Sequence, residues 1–164
     1  VRGPKLERLP WVQPAVPTTP GVYQKTHPTH PLTIAFPASA LARKGAMEVA
    51  QVARDLQARV LILGTPPSDA SSWSGIDWVA ASYASDWLDR AHVVVLPAFV
   101  EHQPRALIRA LAVGLPVVAT PACGLQAQDG LWLIDAGDRG AIKQAVQAAC
   151  LRRESSLSLV DSIR

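Results

Sequence analysis

From Leu32 onward the chain alternates short apolar runs with longer stretches in which apolar residues recur at three- and four-residue spacing. Short apolar runs bounded by turn formers read as buried strands, and the longer spacing reads as helices with one buried face. Strands are accordingly predicted at 32–38 (LTIAFPA), 58–64 (ARVLILG), 76–82 (IDWVAAS), 92–98 (HVVVLPA), 115–122 (LPVVATPA) and 131–136 (LWLIDA). Helices are predicted at 44–56 (KGAMEVAQVARDL), 85–91 (SDWLDRA), 104–114 (PRALIRALAVG) and 139–151 (RGAIKQAVQAACL), the first placing Val49, Val52, Ala53 and Leu56 on one face. Strands alternating with helices imply right-handed crossovers and a parallel sheet covered on both faces. The expected fold is α/β, with a parallel sheet of about six strands. Ligands in such a sheet gather at the carboxyl ends of the strands.

Before Leu32 the pattern is different. Seven of the 14 prolines fall there (Pro4, Pro10, Pro14, Pro17, Pro20, Pro28, Pro31), and so proline-rich a stretch is extended or loop-like. Three parts are therefore expected: a linker or surface strap at 1–31, one folded domain at 32–151, and a C-terminal tail or helix at 152–164. With 164 residues, 49% of them hydrophobic, the chain has enough apolar side chain for one real core. It opens on Val1 rather than Met, which with so loose a first segment suggests a piece of something longer.

Charge narrows the choice of partner. Four of the 16 Lys and Arg and one of the 13 Asp and Glu precede Leu32, leaving twelve of each in the remainder. The folded part is neutral and carries no basic face for a nucleic-acid backbone, so any anion site must be local. No apolar run approaches the roughly 20 residues needed to span a bilayer, and the start lacks the order of a secretion signal, so a cytoplasmic location is expected. Cys123 and Cys150 lie far apart without metal or disulfide spacing. His27 and His30, in HPTHP, are a weak metal signal without further ligands. His92 opens a buried strand and reads as a core histidine, and Trp73, Trp78, Trp87 and Trp132 read as packing residues.

Two strand-to-helix turns carry candidate chemistry, because unpaired N–H groups at a helix start favour an anion. At Lys44 and Gly45 a tight turn brings an ammonium toward the start of a helix, an arrangement suited to a diphosphate; the alternative is a solvated Lys-Gly turn. At Glu101 a carboxylate stands where it can accept from sugar hydroxyls. The alternative is a helix cap paired with Arg105 at i+4, worth about 0.3–0.5 kcal/mol.

The whole stretch VVVLPAFVEHQPRALIRALAVGLPVVATPACGL, Val93 to Leu125, resembles the donor-site segment of retaining glycosyltransferases of the GT-B architecture, group 1 type. The likeness extends to FPASALARKGAMEVAQVARDL and DGLWLIDAGDRGAIKQAVQAA, and so covers about residues 32–150 in order. It implies a Rossmann-like domain that binds a nucleotide diphosphate sugar as substrate and needs no cofactor. It also implies an N-terminal acceptor-binding domain in the same longer chain, through which any peripheral membrane contact would be made.

The resemblance carries over residue by residue with departures. Glu101 matches the first acid of the family's Glu-x7-Glu motif, which contacts the donor sugar, but the second, ribose-binding position is Arg109. An arginine only donates. Lys44 matches the diphosphate-binding lysine and is followed by Gly45, while the arginine usual five residues earlier is Ser39, with Arg43 as a substitute. His102 and Gln103 occupy the Gly-Phe positions whose amides lie near the phosphates, and Gly124 keeps the turn near the sugar. Two functions follow as expectations: a hexosyltransferase-type donor domain serving polysaccharide or glycoconjugate synthesis, inactive as an isolated fragment, or a degenerate GT-B-like domain kept for binding or scaffolding.

Overall fold

The computed structural model describes residues 31–69, 71–84 and 86–161, with side chains described through Arg152. Six strands form one sheet: β1 (Thr33–Phe36), β2 (Arg59–Ile62), β3 (Trp78–Ala80), β4 (Val93–Leu96), β5 (Val117–Ala119) and β6 (Leu131–Leu133). The helices are α1 (Ala46–Leu56), α2 (Trp87–Arg90), α3 (Arg105–Ala112) and α4 (Arg139–Asp161). All strand pairings are parallel, in the order β3-β2-β1-β4-β5-β6. The expected α/β parallel sheet is thus the observed one. Proline-rich residues 1–30 lie outside the described residues, as do His27 and His30.

The central strands TIAF and VVVL are buried at every position, as a parallel sheet covered on both faces requires. Helix α1 turns Ala46, Val49, Ala50, Val52 and Ala53 inward and packs against α4. Right-handed crossovers from β1 to β2 and from β4 to β5 run in opposite directions along the sheet, which places α1 and α3 on opposite faces. The short α2 is anchored by Trp87, which is fully buried, and it packs beside β1. His92 accepts the Thr33 N–H through Nδ1 at 3.0 Å, a bond that joins the starts of β1 and β4 and gives this histidine a structural role. Trp73 is buried and Trp78 and Trp132 pack partly buried against the core.

The strand order fixes where a ligand belongs. The chain winds outward from β1 through β2 to β3, then returns to the other side of β1 with β4 and winds outward again to β6. Between the carboxyl ends of β1 and β4 the connections leave in opposite directions, which opens a crevice at the switch point.

Two expectations change at element boundaries. The helix expected at 44–56 is split: residues Ala42–Lys44 form a 3-10 turn, and α1 begins only at Ala46. The break is Gly45, at φ 79°, in the left-handed region. The last helix continues unbroken from Arg139 to Asp161, so part of the segment 152–164 is helical.

Candidate functional site

Two loops meet over the switch crevice. One leaves β1 and carries Lys44 on the 3-10 turn; the other leaves β4 and carries Glu101 ahead of α3. Their approach depends on Gly45, where a Cβ would lie 2.5 Å from the Pro97 carbonyl oxygen. The loops are also stitched by Phe99 N–H donating to the Arg43 carbonyl at 3.0 Å. Behind them, Thr120 donates to the Ala98 carbonyl at 2.5 Å and ties the end of β5 to the same layer.

Glu101 and Lys44, 57 residues apart in sequence, form a direct ion pair of 2.9 Å, with side chains only 12% and 18% exposed. The other carboxylate oxygen of Glu101 accepts the His102 N–H at 2.8 Å and the Gln103 N–H at 2.9 Å. Lys44 gives a further bond to the Val100 carbonyl at 3.0 Å. Burial pulls the Glu101 pKa up, but the Gln103 N–H, the Lys44 ammonium and the His102 N–H outweigh it, and the carboxyl titrates below its ordinary value of 4.5. The pairing of Glu101 with Arg105 weighed from sequence is not formed. Glu101 caps its own loop, and α3 starts after Pro104 without a side-chain cap.

A group with a depressed folded pKa stabilises the fold above its unfolded pKa, and that contribution is lost as pH falls through the folded value. Glu101→Gln is therefore expected to cost about 1.5–3 kcal/mol at neutral pH, the range for hydrogen bonds to a charged group. The difference from wild type should shrink below about pH 4. Urea unfolding of both proteins at pH 7 and pH 3 checks this; a gap that is unchanged in acid would show that the charge of Glu101 contributes nothing.

Beside the ion pair lies a cleft of about 370 Å³, within the range of small-molecule sites. Its walls include Pro37 after β1, Tyr83 from the loop between β3 and α2, and Glu101, Gln103, Arg105 and Arg109. Tyr83 donates its hydroxyl to the Pro37 carbonyl at 2.7 Å, and burial together with the nearby Glu101 charge raises the phenol's pKa. Arg109 reaches the Tyr83 carbonyl at 3.4 Å. A second cleft of about 390 Å³ lies at the opposite, amino edge beside Arg54, Gly75 and Asp77. The switch-point rule favours the first.

His102 and Gln103 are exposed, and their amides are given to Glu101. Ser39 accepts the Thr65 N–H through its hydroxyl at 3.1 Å, at the neighbouring β2 loop. Arg43 is exposed on the 3-10 turn and does not line the cleft. Gly124, at φ 68°, ends the 3-10 turn Pro121–Cys123 after β5 and is also not among the cleft walls. Cys123 is buried against the Leu96 carbonyl, and burial raises its thiol pKa, which suits a packing residue. Tyr83 was missed by sequence reasoning: its role depends on a loop folding back to Pro37, and no local spacing announces that contact. No group of three or more His, Cys, Asp or Glu able to hold a metal occurs among the described residues. No described helix is long and apolar enough to cross a membrane.

Among solved structures, the chain is similar to the C-terminal domain of a glycosyl transferase group 1 family protein (LpcC) from Francisella tularensis, at TM-score 0.58 and 14% identity over 71% of this chain and 74% of that one. It is also similar to the sucrose-phosphate synthase of Thermosynechococcus elongatus (TM-score 0.55, 16% identity, 84% of this chain and 47% of that one). TarM is a further likeness (TM-score 0.56, 17% identity, 77% of this chain and 30% of that one). The chain thus spans less than half the length of the latter two. No curated protein matches. The fold is that of GT-B glycosyltransferase domains. The family model for glycosyl transferases group 1 matches residues 38–151, most of the chain, and the chain belongs to that family.

Proposed function

We propose that this glycosyltransferase domain binds the donor, a nucleotide diphosphate sugar, and that a longer protein transfers the sugar with retention to an acceptor held by an N-terminal domain. The setting we favour is polysaccharide or glycoconjugate synthesis in the cytoplasm. The carrying observation is the Lys44–Glu101 pair over the switch crevice, beside a cleft of small-molecule size. Two backbone N–H groups and the ammonium take three of the carboxylate's roughly four acceptor positions. Glu101 is thereby held rigid, ionised and able to accept one more hydrogen bond, as recognition of a sugar hydroxyl needs.

A second reading, a degenerate domain kept for binding or scaffolding, is favoured by one observation: the cleft presents Arg109 where the resemblance expects a ribose-binding acid. Losing a buried acceptor costs about 1–3 kcal/mol, or one to two decades of affinity, which weakens nucleotide binding without abolishing it.

Calorimetric titration with uridine and guanosine diphosphates and their sugar conjugates separates the two. The donor reading expects binding, and expects Glu101→Gln to weaken a sugar conjugate about tenfold more than the bare diphosphate, because only the sugar meets Glu101. No binding of any of the four by wild type sinks it. The 164-residue chain should show no sugar transfer by itself, since closure against an acceptor domain is what excludes water and aligns the reactants. Product formation by the purified chain would contradict that division of labour.

A further inference from the structure

The cleft's positive charge does not sit where the family resemblance would put it. The residue five before Lys44 is the neutral Ser39, whose hydroxyl is engaged with Thr65. Lys44 directs two of its three N–H donors to protein, at Val100 and Glu101, and the ion pair carries no net charge. Arg105 and Arg109, by contrast, are four residues apart on α3 and both line the cleft. Neither forms an ion pair among the described residues, and Arg109 has only the 3.4 Å approach to the Tyr83 carbonyl. The one acid lining the cleft, Glu101, already belongs to Lys44. Like charges at i,i+4 repel, and α3 presents both guanidinium groups to one wall of the cleft with no acidic partner among the described residues.

The geometry points to Arg105 and Arg109 as the groups that hold the diphosphate of the donor, on the α3 side of the cleft, with Lys44 acting as the positioning residue for Glu101. This rests on the donor reading above. Two planar guanidinium forks can each take two phosphate oxygens, and a diphosphate removes the repulsion between them. Arg109 is then a relocated phosphate ligand rather than a damaged ribose site.

Calorimetry of the 164-residue chain with inorganic pyrophosphate and with uridine diphosphate tests the assignment. Arg105→Gln and Arg109→Gln should each weaken both probes about tenfold, and the double variant about a hundredfold. Lys143→Gln, which removes a surface charge paired with Asp55 on α1, should leave binding unchanged. The ligand-free double variant should melt no lower than wild type, since a repulsion has been removed, whereas a merely structural role for the arginines would lower its Tm. Uridine diphosphate binding that survives in the double variant overturns the inference and leaves the donor reading standing. Pyrophosphate binding that depends on the arginines while uridine diphosphate never binds keeps the anion site and overturns the donor reading. No binding of either probe by wild type overturns both.

Discussion

Gly45→Ala is expected to lower the unfolding free energy by about 2–5 kcal/mol. A left-handed φ costs an L-residue about 1–2 kcal/mol, and overpacking against fixed atoms adds about 1–3 kcal/mol. Here the new methyl would lie 2.5 Å from the Pro97 carbonyl oxygen, backbone that is held by the end of β4. The strain cannot be relieved by a side-chain rotation, so the 3-10 turn must lift away from the β4 loop. That motion separates Lys44 from Glu101, and the variant should lose the acid sensitivity assigned above to Glu101 as well as stability. Urea unfolding at pH 7 measures the first effect, and the same experiment near pH 3 measures the second. A loss under 1 kcal/mol would mean that the two loops are not packed as described.

Trp87→Ala is expected to cost about 3–5 kcal/mol, the usual range for removing a fully buried large aromatic. Helix α2 spans only Trp87–Arg90, and so short a helix has no stability of its own. Its indole is the anchor that fixes the preceding loop on the sheet, and this loop brings Tyr83 to Pro37 and to Arg109. The variant should therefore loosen one wall of the cleft while the Lys44–Glu101 pair stays formed. Thermal unfolding reads the stability loss, and the tryptophan-independent Glu101 acid response reads the integrity of the pair. If Trp87→Ala were nearly neutral, the core assignment around α2 would be wrong.

The parts of this fold that were legible in the sequence are those whose signal is local. The runs TIAF, VVVL and PVVA announce buried parallel strands, and the spacing of Val49, Val52 and Ala53 announces the inner face of α1. Placing Lys44 and Glu101 at strand-to-helix turns also followed from alternation alone, but that their strands are neighbours did not. What local spacing could not give was the partner of Glu101. Arg105, four residues on, was the visible candidate, yet Lys44 wins because the parallel pairing of β1 with β4 brings their following loops together. The tight turn at Lys44 and Gly45 was legible, but not that it delays α1 to Ala46, because the close approach of Pro97 that requires a left-handed glycine there is a tertiary contact. The engagement of Ser39 with Thr65 and of Tyr83 with Pro37 likewise joins loops that have no sequence neighbours in common.

Amide chemical-shift mapping of the chain with uridine diphosphate tests most directly the proposed binding of a nucleoside diphosphate over the carboxyl ends of β1 and β4. The His102 and Gln103 amides now donate to Glu101, and Arg105 and Arg109 face the same cleft, so a ligand there must disturb their surroundings. The expected result is saturable shifts at residues 99–103 and 105–109, at Lys44 and Gly45, and at Tyr83, with the amino edge unaffected. Shifts confined to the cleft beside Arg54, Gly75 and Asp77, or no saturable shifts at all, would contradict the claim.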